Sequence, residues 1–173
     1  MKWKKISEKY IKENGWQKLI MRRFVMPNGK EDDFEIKKEK DVVCVLPITK
    51  NNKVVLVKQF RPGPEKELLE LPGGCIEPNE KLEDAMKREF LEETGYVGKI
   101  EFVNTIFDCG YTTRIRHCFV ATDCYKAGDT QPDETEFVEV LEMSLSDFRE
   151  HLRSGQLTDI DVGYIGLDYL KLL

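Results

Sequence analysis

Histidine is scarce in this chain. His117 and His151 are the only two, and no serine stands in a G-x-S-x-G elbow. A nucleophilic triad, and the covalent intermediate it would form, is therefore not supported. Long apolar runs are also missing. The longest, Val42–Ile48, falls far short of the roughly 20 residues a membrane-spanning helix needs. Met1–Asn14 is polar and charged, without the apolar stretch of a secretory signal. The five cysteines (Cys44, Cys75, Cys109, Cys118 and Cys124) are odd in number and include no C-x-x-C pair. That argues against a disulfide framework or a zinc knuckle, and buried, reduced thiols in a cytoplasmic protein are expected instead. There is no excess of basic residues. A net charge of −5 speaks against a general nucleic-acid binder, although a divalent cation can still bridge an acidic site to a phosphate. Repeats and low-complexity segments are absent.

What is present suits one compact domain with a small appendage. The 173 residues suffice to bury a sizeable core, and 40% hydrophobic with 34% charged residues is a globular balance. Residues 1–40 are strongly charged and carry two candidate strands, Leu19–Met26 and Lys30–Lys37, around the turn signal Pro27-Asn28-Gly29. They are expected to form an antiparallel arm, too polar to fold alone, that packs on a main domain of residues 41–173 or on a second subunit. In that domain Val42–Ile48, Lys53–Phe60, Ile100–Phe107, Ile115–Thr122 and Phe137–Met143 read as strands, with Asn51-Asn52 as a turn. Pro72-Gly73-Gly74 reads as a break in the backbone. A helix capped by Asn79 is expected to run to about Thr94 and stop at Gly95, with Leu82, Met86 and Phe90 as its apolar stripe. Ser144–Gly155 and Asp159–Leu173 are further helices. The order is mixed α/β, a sheet between helices.

The first of these helices has a second face. Glu89, Glu92 and Glu93 stand at i, i+3 and i+4, so their carboxylates project to one side. Like charges roughly 6 Å apart repel by about 3 kcal/mol per pair at an effective dielectric of 20. Such a cluster asks for a cation, and hard oxygens favour Mg²⁺ or Mn²⁺ over softer metals. Arg88 is adjacent and offsets part of the charge. Gly73 and Gly74, just before the helix, would let the backbone turn tightly and aim a carbonyl at such an ion.

From Gly74 to Tyr96 the chain reads G-CIEPN-E-KLEDAMK-R-E-F-L-E-E-T-G-Y. This resembles the Nudix box, G-x5-E-x7-R-E-U-x-E-E-x-G-U, with U a bulky apolar residue. Gly74, Glu80, Arg88, Glu89, Glu92, Glu93 and Gly95 match the fixed positions, while Phe90 and Tyr96 are aromatic where aliphatic residues are usual. Gln59-Phe60-Arg61 followed by Glu70-Leu71-Pro72-Gly73-Gly74 is similar to the ADP-ribose pyrophosphatase branch of that family. So are Trp16 with Pro27-Asn28-Gly29, Asp133-Glu134-Thr135-Glu136, and Ser154-Gly155-Gln156-Leu157-Thr158-Asp159.

The resemblance implies a Nudix fold, a mixed β-sheet sandwiched between α-helices, with an N-terminal β arm that contributes to a homodimer. It implies Mg²⁺-dependent hydrolysis of a nucleoside-diphosphate compound, ADP-ribose to AMP and ribose 5-phosphate. Glu89, Glu92, Glu93, the Gly73 carbonyl and Glu136 would hold metal. Glu134 would orient or deprotonate the attacking water, with Glu92 and Arg88 also in the catalytic set. Glu80 would support the loop and helix. Arg61 would grip a phosphate and Glu70 would contact substrate or brace the site.

One segment departs from the pattern. Where that branch often reads S-P-G-x-x-x-E, this chain reads Asp108-Cys109-Gly110-Tyr111-Thr112-Thr113-Arg114. Arg114 in place of an acid would suit an extra phosphate or carboxylate better than a neutral ribose. A nucleotide sugar such as GDP-mannose, a dinucleoside polyphosphate or an oxidised nucleotide stays open as substrate, as does a silent nucleotide sensor.

Overall fold

A computed structural model describes residues 2–14, 17–131 and 137–173. The chain divides into two compact units, one of residues 1–41 with 107–115, the other of 42–106 with 116–173.

The first unit is an antiparallel sheet of β1 (Lys4–Lys12), β2 (Lys18–Val25) and β3 (Glu31–Lys38), in that order. The expected hairpin is present. Gly29 takes φ 82° and its N–H meets the Met26 carbonyl at 2.9 Å, as befits the left-handed residue that closes a three-residue hairpin loop after a tight turn. Sequence reasoning missed β1, and also two short strands of the second unit, Lys66–Glu70 and Gly73–Cys75. All residues of β1 are exposed, so no buried face imposes an alternation of apolar and polar residues. Trp3, Phe24 and Phe34 meet edge to face, with centroids about 6 Å apart, a favoured aromatic geometry.

The second unit has a mixed sheet: β4 (Val42–Thr49), β5 (Lys53–Arg61), β6 (Lys66–Glu70), β7 (Gly73–Cys75), β8 (Tyr96–Phe107), β9 (Ile115–Lys126) and β10 (Val138–Ser144). The main path runs β10-β5-β4-β9-β8, with β4 parallel to β9 and antiparallel to β5. β4 and β5 pair only at Ile48 and Val54. β6 then pairs with β5, and β7 with β4. The helices are α1 (Leu82–Thr94), α2 (Leu145–Ser154) and α3 (Ile160–Tyr169).

Alternation along β4 explains the layering, because successive residues of a strand face opposite ways. Val43 and Val45 join Ala85, Met86 and Phe90 of α1 in one buried cluster. Cys44, Leu46 and Ile48 join Phe148 and Leu152 of α2 and Val162 and Leu167 of α3 in the other. The sheet is thus sandwiched between α1 and the α2–α3 pair.

Two caps came out as expected. Ser144 accepts from the Asp147 N–H at 3.1 Å, and Gly95 closes α1 at φ 72°. The Asn79 cap did not. Asn79 lies in a turn at φ 66°, and Lys81 precedes the helix with no side-chain cap. The neighbouring Glu80 instead points at the Glu77 N–H and Arg88. Of the thiols, Cys44, Cys118 and Cys124 are buried but Cys75 is half-buried and Cys109 exposed; none forms a disulfide among the described residues. No helix among the described residues is long and apolar enough to cross a membrane.

Candidate active site

α1 turns its apolar stripe to the sheet and its acidic face to β7. The loop before α1 returns Glu80 to Arg88, whose guanidinium forks onto both Glu80 oxygens at 2.9 Å. The same side chain reaches Glu89 at 2.8 Å, Glu92 at 3.1 Å and the Cys75 carbonyl at 3.1 Å. The Arg88 hydrogen bonds, then the Glu77 N–H, hold the Glu80 carboxyl down to about 2, and Glu80 in turn raises Arg88 further. Glu80 is therefore the permanent anchor of this arginine.

Glu93 is buried and accepts from the Gly73 N–H at 2.9 Å, tying α1 to β7. The two glycines serve a purpose other than the turn expected of them. Neither has a positive φ, and Gly73–Cys75 is a short strand paired with Val42–Cys44. What they provide is space. A Cβ on Gly73 would run into the Val43 carbonyl and Cys44 Cα, and one on Gly74 into the carboxylate of Glu89. Glu89 occupies room that a larger residue at 74 would fill.

Gly73, Arg88, Glu89, Glu92 and Glu93 are thus brought together. Arg61 and Glu70 form a second group. The Arg61 Nε donates to the wholly buried Glu70 at 2.5 Å, while two-fifths of the Arg61 side chain stays open to solvent. The chain ties the two groups together, since Glu70 stands only three residues before Gly73. Burial pushes the Cys44 thiol well up. Arg114 belongs to the first unit and pairs there with Glu39 at 3.0 Å, so an anion bound by it would compete with a carboxylate. Glu134 and Glu136, like Trp16, lie outside the described residues.

Sequence reasoning gave no role to a buried polar cluster behind Glu70. Arg116 on β9 reaches Asp161 at 3.0 Å, the Thr158 carbonyl at 3.3 Å and Asp159 at 3.6 Å. The Thr158 hydroxyl donates to Glu70. A lone arginine inside the apolar run Ile115–Ala121 was the available signal.

Burial pushes the Asp159 carboxyl from 3.8 up to about 7, against the opposing pull of Arg116. The folded state therefore holds a proton that the unfolded chain has released, and this favours folding less and less as pH rises from about 4 to about 7. Asp159→Asn should lack that slope. On going from pH 8 to pH 5 the wild type should gain roughly 2–3 kcal/mol on this variant in urea unfolding. Parallel stability profiles would show that Asp159 does not titrate in this window.

Among the described residues no three His, Cys, Asp or Glu side chains already converge as a metal cage. The donors nevertheless fit a hard divalent ion. They are carboxylate oxygens, they outnumber the positive charge of Arg88, and one of them fills the space left by a glycine.

Similarity to known proteins gives the family. The NUDIX domain family model matches residues 38–159. The ADP-ribose pyrophosphatase of Bacillus subtilis (strain 168) is 35% identical over 177 residues, covering 98% of this chain and 95% of its own length. The methanol dehydrogenase activator of Bacillus methanolicus is 32% identical over 158 residues, covering 90% of this chain and 85% of its own. Among solved structures, one described as ADP compounds hydrolase superposes with a TM-score of 0.82 at 19% identity, covering 99% of this chain and 95% of that one. At that identity the likeness is one of fold.

Proposed function

The chain belongs to the Nudix hydrolase family, and on that premise we propose that it hydrolyses the diphosphate bond of ADP-ribose to give AMP and ribose 5-phosphate. One observation carries the reaction class: the acidic face of α1 lies against β7, with Glu93 on the Gly73 N–H and Glu89 in the space beside Gly74. The substrate rests on the name of the Bacillus subtilis relative, which is similar over nearly the whole chain.

Glu89, Glu92, Glu93 and the Gly73 carbonyl would hold Mg²⁺ or Mn²⁺. Extended backbone places a residue's N–H and C=O on the same edge, so the Gly73 carbonyl leaves β7 on the side of Glu93. A bound divalent ion supplies charge neutralisation at the diphosphate and an activated water. Arg88 stays anchored on Glu80 and the Cys75 carbonyl, so it can release Glu89 and Glu92 without leaving the site. Arg61 offers the outer edge of its guanidinium to a phosphate, with Glu70 fixing the inner edge. Glu134 as general base and Glu136 as a further ligand rest on the sequence resemblance. Five cysteines outside any disulfide suit the cytoplasm. The exposed length of β1, with Trp3, Ile6, Tyr10 and Ile11 open, supports a homodimer.

A product-resolved assay tests this reading, with GDP-mannose and dinucleoside polyphosphates beside ADP-ribose. AMP and ribose 5-phosphate should form with Mg²⁺ and stop on addition of EDTA. A higher kcat/KM for another compound would replace the substrate and leave the chemistry standing. Binding without turnover would favour a sensor. Light scattering on the same preparation should give a dimer mass, and a monomer would remove that part of the proposal.

A further inference from the structure

Glu70 is wholly buried, and its two oxygens are taken by groups from different parts of the fold. One accepts from Arg61 Nε at 2.5 Å, the other from the hydroxyl of Thr158. Thr158 lies in the link between α2 and α3, 88 residues from Glu70 in sequence. That link is itself pinned, since Arg116 donates to the Thr158 carbonyl at 3.3 Å and to Asp161 at 3.0 Å. One residue before Glu70, the Leu69 carbonyl lies 2.8 Å from His151 Nε2 on α2. β6 is therefore held at two successive residues by the helical layer.

A carboxylate bonded at one oxygen can still rotate about its last bond, whereas one bonded at both cannot. With Glu70 fixed, the Arg61 Nε is held in place as well, and this limits how far its guanidinium can swing. A planar fork recognises a phosphate bidentately only when it is correctly oriented.

We propose that Thr158 is a positioning residue for substrate binding, setting through Glu70 the orientation in which Arg61 meets the diphosphate. This rests on the reading of Arg61 as a phosphate contact for ADP-ribose. The competing possibility is that Thr158 only satisfies a buried carboxylate and so serves stability.

The test is a double-mutant cycle on the intact chain. Thr158→Val keeps the shape and removes the hydroxyl, Thr158→Ser keeps the hydroxyl, and Arg61→Ala removes the group acted upon. Calorimetric Kd values for ADP-ribose would be measured in EDTA, where no turnover occurs, and KM and kcat with Mg²⁺. Thr158→Val should weaken binding roughly tenfold and raise KM to match, with kcat within about twofold. Thr158→Ser should restore both. In the Arg61→Ala background, itself weakened, Thr158→Val should change nothing further. An equal loss with and without Arg61, or a lowered melting temperature with Kd unmoved, overturns the positioning role and leaves the function standing. Wild-type protein that does not bind ADP-ribose, or Arg61→Ala that binds it normally, overturns the underlying reading and the positioning role with it.

Discussion

Glu93→Gln should lower turnover of ADP-ribose by a hundredfold or more, with the fold intact. Disturbing a partner of a metal ligand typically costs roughly ten- to a hundredfold, so losing the charge of a ligand itself should cost at least the upper figure. The fold should survive because the substitution keeps shape and acceptor. A Gln carbonyl oxygen can still take the Gly73 N–H that Glu93 holds at 2.9 Å, giving up only the charge assistance, about 1 kcal/mol. The residue is buried against β7, so no other side chain can move in to replace the charge without rearranging the strand. The measurement pairs kcat at saturating Mg²⁺ with near-ultraviolet circular dichroism. Undiminished kcat would remove Glu93 from the machinery. A collapsed spectrum would mean that its charge holds the fold rather than the reaction.

How much of this site was legible in sequence depends on how local each feature is. Glu89, Glu92 and Glu93 were placed on one face because a helix converts their spacing directly into direction. Arg88 and Glu80, eight residues apart, follow from the same helix and the loop before it. Ser144 and Gly95 end their helices through bonds within a few residues, so they too were readable. Features built across the fold were not. The carboxylate of Glu70 meets Thr158 only because β6 and the α2–α3 link pack together, and nothing in either segment announces the other. Arg114 was read as suiting an extra phosphate or carboxylate of the substrate, but Glu39, far away in sequence, faces it at 3.0 Å. β1 escaped notice because backbone pairing with β2 alone defines it, and such pairing leaves no mark on the side chains.

The two glycines show the same limit more sharply, and they separate folding from chemistry. Gly73→Ala should cost several kcal/mol or prevent folding, whereas Gly74→Ala should fold and lose activity roughly a hundredfold. The difference lies in what each new methyl would meet. At 73 it meets the backbone of β4, the Val43 carbonyl and the Cys44 Cα. These belong to the central pair of the sheet and cannot yield without breaking the β4–β7 register. Overpacking of that kind costs about 1–3 kcal/mol even where side chains absorb it, and more where backbone must move. At 74 the methyl's nearest neighbours are the atoms of the Glu89 carboxylate, the far end of a flexible side chain. Glu89 can swing aside at little cost to stability, but it then leaves the position in which it would serve as a ligand, and a displacement near 1 Å at a reacting site is worth roughly a hundredfold in rate. Melting temperature and kcat/KM for both variants check the pair. A stable, active Gly73→Ala protein would show that β7 is held less tightly than the Glu93 bond suggests. A fully active Gly74→Ala protein would show that the position of Glu89 beside Gly74 is not needed for turnover, leaving Glu92, Glu93 and the Gly73 carbonyl as the proposed metal site.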